Sequence, residues 1–259
     1  VAPTVIVSST ATEPTNVSPI PVTITFSESV TGFVVGDITV TNGTAGGFAG
    51  GGTTYTANIT PTGPGAVTVS VAANAAADAA TNGNTASNVL SRTYDNVAPT
   101  VVVSSTATDP TSISPIPVTI TFSESVTGFV VGDITVTNGT ASGFAGSGTT
   151  YTANITPAGP GAVTVSVAAN TAADAATNGN TASNVLSRTY DNVAPTVVVS
   201  STATNPTNLS PFPVTITFSE VVTGFEVGDI SVTNGTAGAF AGSGTTYTAS
   251  ITPTAAGSV

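Results

Sequence analysis

The chain has 259 residues, 40 % of them apolar and 6 % charged, with 13 acidic side chains against two arginines, for a net charge of −11. That apolar content is far from the disordered regime, and the acidity excludes a nucleic-acid partner, whose phosphates demand a basic surface. There is no Cys, no His and no Lys, which removes disulfides, thiolate metal sites and catalysis by any of those three side chains.

Slid along itself, the sequence repeats with a period of 96. Residues 1–96 match 97–192 except at Ile6/Val102, Glu13/Asp109, Asn16/Ser112, Val17/Ile113, Gly46/Ser142, Gly51/Ser147, Thr62/Ala158 and Ala75/Thr171. A third copy starts at Val193 and runs to Val259. Periods of roughly 20 to 50 residues mark solenoids, whereas about 100 is the size of a self-supporting domain. The expected organisation is therefore three domains in tandem, 1–96, 97–192 and 193–259, the last incomplete. Each full repeat carries five acids and one arginine.

Within a repeat, "TVIVSS" opens with a short strand. "PVTITFS" (Pro21 to Ser27) then alternates Val22, Ile24 and Phe26 with Thr23 and Thr25, the period of a strand with one face buried. A short strand is expected over 30–35. "DITVTN" (Asp37 to Asn42), "TYTANIT" (Thr54 to Thr60), "AVTVSVA" (Ala66 to Ala72) and "NVLSRTY" complete about seven. Threonine fills the other face, being β-branched and uncharged. The Gly-rich "NGTAGGFAGGGTT" between Asn42 and Thr54 lacks the Lys and the following helix of a phosphate loop; it reads as a hairpin connection with Phe48 dipping into the core. "AANAAADAAT" (Ala72 to Thr81) is the exception, with residues for a turn or two of helix. Seven short strands per repeat, divided by "EPTNVSP", "NGTAGG", "PTGPG" and "TNGN", indicate an all-β chain of tandem immunoglobulin-like antiparallel β-sandwich domains. The third copy lacks counterparts of Thr68 to Asn96, so Val214, Ile216 and Phe218 are expected to be poorly covered, and the natural chain is expected to continue.

The order "VTITFSESVTGF", "GDITVTNGT", "GTTYTANITP", "VTVSVAANAAADAATNGN" and "RTYDNVAPTV" resembles the bacterial Ig-like repeats of large cell-surface and biofilm adhesins. The resemblance covers both full repeats and the available part of the third. It implies extracellular extender modules, a structural stalk that projects a binding domain from the bacterial surface, with calcium bound between domains in several relatives. Where those relatives often show an Asp-x-x-Gly-Asn loop, this chain has "DAATNGN" with Asp78, Asn82 and Asn84.

Placed on an Ig-type sandwich, the loop holding Glu124 and the loop holding Asp174, Asn178 and Asn180 fall at the end where the chain enters repeat 2. The linker "YDNVAPT" brings Asp95 and Asn96 toward them. Calcium takes six to eight oxygens, so the expected metal residues are Asp95, Glu124 and Asp174, with Asp191 and Glu220 beginning the same arrangement at the next junction. Solvated charges that keep a Thr-rich surface soluble are the alternative. Pro99 and Pro195 stiffen the linkers by fixing φ.

Paired acids such as Glu28 and Asp37 meet the bare requirement of a glycosidase couple, but tandem identical sites without Trp or an aromatic platform do not make a hydrolase; no enzyme and no catalytic residue is expected. Arg92 and Arg188 are expected to pair with carboxylates. No apolar run is long enough to cross a membrane as a helix. The partners are then neighbouring repeats of the same chain. The alternative function is a fibre or matrix subunit in which copies of the chain associate laterally or by strand donation, and a carbohydrate-binding module stands behind that.

Overall fold

Alternation of apolar residues with threonine becomes strand in the computed structural model, which describes residues 1–259. The chain divides into two compact units, Val1–Asp191 and Asn192–Val259. In the first repeat the strands are β1 (Val5–Ser8), β2 (Ile20–Val30), β3 (Ile38–Thr41), β4 (Gly43–Pro61), β5 (Gly65–Val71) and β6 (Leu90–Tyr94). Two antiparallel sheets form, in the orders β1-β2-β4 and β3-β5-β6.

Register follows from the pattern. Ile24 stands opposite Val7 on one side and Tyr55 on the other, and Val22 opposite Ala57; in the second sheet Val69 faces Val40 and Leu90, and Val71 faces Ile38. These inward residues form one core cluster with Val5, Ile20, Phe26, Ile59 and Val67, while Thr25, Thr54 and Thr56 stay exposed. Each fully buried aliphatic side chain contributes roughly 1.5–3 kcal/mol, so a one-residue slip that turned this face outward is strongly disfavoured.

The second repeat copies the first with β7 (Val101–Ser104), β8 (Ile116–Val126), β9 (Ile134–Thr137), β10 (Gly139–Pro157), β11 (Gly161–Val167) and β12 (Leu186–Tyr190). Its sheets are β7-β8-β10 and β9-β11-β12, around an equivalent cluster. In the second unit, β13 (Val197–Ser200), β14 (Phe212–Val222) and β15 (Gly235–Pro253) make a single sheet. Val214 and Ile216 are buried there nonetheless, in a small cluster with Tyr247, Ala249 and Ile251 against which Phe212, Phe218, Phe225 and Phe240 pack. Phe218 is only half-buried where Phe26 and Phe122 are buried, and β13 is less covered still: Val197 is 52 % and Val199 64 % exposed, where Val5 and Val7 are 4 % and 2 %.

Three local expectations need correcting. The 30–35 segment ends in a 3-10 turn, Val35–Asp37, not a strand, and the Asp37 carboxylate accepts the Val34 N–H. Residues 72–81 form turns, not helix: Asn84 takes the Ala76 N–H on its side-chain oxygen and donates its amide to the carbonyls of Ala72 and Thr85, offering the backbone partners that compete with i→i+4 bonds. The Gly-rich segment belongs to β4, which doubles back on itself. A Cβ at Gly43 would lie 2.9 Å from Thr60 O, and at Gly50 (φ +110°) one would collide with Thr54 O, so only glycine allows that approach. Phe48 does reach the core, stacking on Tyr55 at 5.6 Å and meeting Phe33 edge-on. With Phe26 these rings form an aromatic group that recurs in all three repeats, a favourable arrangement of edge and offset contacts.

Side chains also close sheet edges. The Asn88 amide accepts the Val7 N–H and donates to the Val7 carbonyl, pairing with β1 as a peptide unit would; Asn184 does the same for Val103. Along β6, Thr15 N–H donates to Thr93 O, Asp95 N–H to Thr15 O, and Thr93 N–H to the Glu13 carboxylate. Arg92 and Arg188, expected to pair with carboxylates, donate their hydrogen bonds to backbone carbonyls, Arg92 to Ala11, Ser91 and Ser9, Arg188 to Ala107, Ser187 and Ser105; Arg188 also lies near enough to the Asp109 carboxylate for its charge to act on it.

Candidate functional site

The linker from repeat 1 to repeat 2, inside the first unit, is held from both sides by backbone bonds. Its start is tied to repeat 1 through Asp95 N–H to Thr15 O. Its end is tied to repeat 2: Thr181 N–H donates to Pro99 O, and Thr100 and Ser123 exchange bonds, N–H to Oγ at 2.9 Å and N–H to O at 2.9 Å. Ser123 precedes Glu124, so the linker is pinned beside one predicted acid. Glu124 itself lies in β8, not in a loop, where the pairing with β10 is irregular between Thr121 and Val126.

The third acid comes from the loop after β11. Asp174 is buried; its carboxylate accepts the Asn178 backbone N–H at 2.8 Å and the Asn178 amide at 2.9 Å. That same amide donates to Asp95 O in the linker, and the Asn178 oxygen accepts from Asn16 of repeat 1 at 3.3 Å. Asn178 thus fastens loop, linker and the body of repeat 1 together. Asn180 is not free to act as an oxygen ligand: it accepts the N–H groups of Thr171 and Ala172 and donates to Ala168 and Thr181.

The fold therefore brings Asp95, Glu124 and Asp174 together, with one carboxylate oxygen from each within 4.8 Å of the others. Burial, and then the charges of Asp174 and Asp95, push the Glu124 carboxyl above its usual value. Three oxygens within 4.8 Å of one another lie no more than about 2.8 Å from a common centre, a spacing that admits the 2.3–2.6 Å bonds of calcium to oxygen. The donor set is all hard oxygen, suiting calcium over zinc or copper. Asp191 and Glu220 belong to different units: Asp191, at the end of the first, donates its N–H to Thr111 O, and Glu220 lies in β14 of the second.

Sequence reasoning placed the three acids but not the latch. In the sequence Asn178 is one polar member of its loop, and Asn16 is one of the repeat differences, with Ser112 at its place in repeat 2.

The model of the bacterial Ig-like domain family matches residues 1–94, 95–190 and 191–259. The chain therefore belongs to the bacterial Ig-like domain family, present in three tandem copies. No curated protein matches the sequence. Among solved structures it is similar to invasin, a bacterial integrin-binding protein, at 16 % identity and a TM-score of 0.39, covering 98 % of this chain and 55 % of that one. It is also similar to the I9–I11 tandem of titin, at 9 % identity and a TM-score of 0.28, covering 98 % and 88 %. The chain thus spans about half the length of the invasin chain. No helix is long and apolar enough to cross a membrane.

Proposed function

We propose that this chain is a segment of a bacterial cell-surface stalk, an extracellular run of Ig-like extender domains that carries a binding domain away from the cell. The observation that supports this most is the linker of the first unit, bonded to both of its neighbours and crossed by the Asn16–Asn178–Asp95 latch. A joint with that many bonds transmits bending and load from one domain to the next, as a stalk requires. The aromatic rings are used in the cores, leaving little stacking surface for a sugar.

Calcium is the second part of the reading. Asp95, Glu124 and Asp174 would hold the ion, with the remaining oxygens from water and backbone. With the affinity of extracellular modules, a Kd of roughly 10⁻³ M, about 10 mM calcium stabilises the folded form by about 1.4 kcal/mol.

Small-angle scattering at low protein concentration tests the stalk. A compact 259-residue domain has a radius of gyration of about 18 Å. An extender gives a value well above that, with a mass of 25.0 kDa; a value near 18 Å contradicts the proposal.

A further inference from the structure

Four strand edges border the two sheets of a repeat, and they are treated unequally. The β1 edge is closed by the Asn88 amide, and the β6 edge by Thr15 and Glu13. The β3 edge is only four residues long, and short edges present little to pair with. The fourth is the first limb of β4. β4 ends its sheet; its second limb pairs with β2 from Thr54 to Ile59, and the first folds back over that limb. Gly43 to Gly50 is therefore the outermost strand, with Thr44, Gly46, Gly47, Ala49 and Gly50 exposed.

This edge has none of the usual protections. Between Gly43 and Thr60 there is no charge and no proline, in a chain of net charge −11; lysines and prolines are what natural edges use against pairing. Its blunting features are the left-handed residues Gly47 (φ +56°) and Gly50 (φ +110°), which keep any added strand short. The same limb recurs at Gly139–Gly146 and Gly235–Gly242, at the same 96-residue interval.

We propose that this glycine-rich limb is a self-association edge, along which a second copy of the chain adds its own equivalent limb. Backbone bonds would supply the contact, as in other strand additions. The occupant is a copy of the chain because the strip is where two strongly acidic molecules can meet without opposing carboxylates, and because each copy carries the same uncharged limb in every repeat and so offers several matching strips at once. Each contact is weak, since glycine loses much conformational freedom on ordering. Several in parallel, between stalks anchored side by side, reinforce one another through effective concentration. The proposal goes beyond the stalk reading: stalks that fail to pair laterally are still stalks.

Sedimentation equilibrium of the full chain tests it, from about 20 µM, where the chain is monomeric, to about 1 mM, where the weight-average mass should rise about 1.5-fold. The triple variant Gly46→Lys, Ser142→Lys, Gly238→Lys should remain at its monomer mass throughout. A Cβ at Gly46 or Gly238 meets nothing within 4 Å, so the variant is expected to fold, with circular dichroism as the check. Three lysines also reduce the net negative charge, so lost association would not come from added repulsion. A control carrying Thr39→Lys, Thr135→Lys and Ser231→Lys has the same charge and should associate as the parent does. A parent that stays at 25.0 kDa at all concentrations, or a control that dissociates as fully as the edge variant, overturns the proposal.

Discussion

The loop "DAATNGN" occurs twice, at Asp78–Asn84 and at Asp174–Asn180, with one sequence and two surroundings. In repeat 1 the Asn82 amide, then its backbone N–H, hold the Asp78 carboxyl below its usual value, outweighing the opposing effect of burial. In repeat 2 the matching Asn178 amide is shared between Asp174 and the linker carbonyl of Asp95. Asp174 now has two further carboxylates beside it, Asp95 and Glu124. The loop alone is a self-contained turn. The three-acid cluster forms only when the linker delivers Asp95, so it belongs to the junction and not to either domain alone.

If the repeats differ only at their ends, core substitutions must act alike in both. Ile24→Ala and Ile120→Ala each remove a side chain with 0 % exposure and should each lower stability by about 3–4 kcal/mol, read by urea denaturation. Unequal losses would mean that the junction props up one core more than the other. The next largest effect lies inside the loop. Asn84→Ala and Asn180→Ala strip partners from buried backbone groups and should each reduce stability by about 2–3 kcal/mol, again about equally, because the side chain serves its own loop in both places.

How much of this could be read in advance depended on distance along the chain. The strands "PVTITFS" and "AVTVSVA" announced themselves by alternation, and Ile24 and Val69 went where that alternation put them. The acids of the junction are legible because an Ig-type strand order fixes which segments share an end, although Glu124 sits in the irregular part of β8 and not in a loop. The helix expected at Ala72–Thr81 failed because alanine propensity is a small local bias, while Asn84, further along, captures the backbone of that segment. Asn16 meeting Asn178 could not be read from either repeat alone, since it depends on how one repeat docks on the next.

The smallest expected effect is at the β12 edge, where the Thr189 backbone N–H, then its hydroxyl and the Arg188 charge, lower the Asp109 carboxyl from its usual value. A depressed carboxyl stabilises the fold above its ordinary pKa, and that contribution is lost as pH falls through the lowered one. Asp109→Ala should therefore lower Tm slightly at neutral pH, with the difference shrinking as the pH falls through the lowered value. A difference that persists in acid would show that packing, and not the carboxylate, is responsible.

Calorimetric titration of calcium into the full chain, into Asp95→Asn and into Asp78→Asn separates junction from loop most directly. The expected result is binding near 10⁻³ M, within about tenfold, by the parent and by Asp78→Asn, with the heat much reduced or lost in Asp95→Asn. Equal heats from the parent and Asp95→Asn, or no heat from the parent at about 10 mM calcium, would contradict a cation site assembled by the linker.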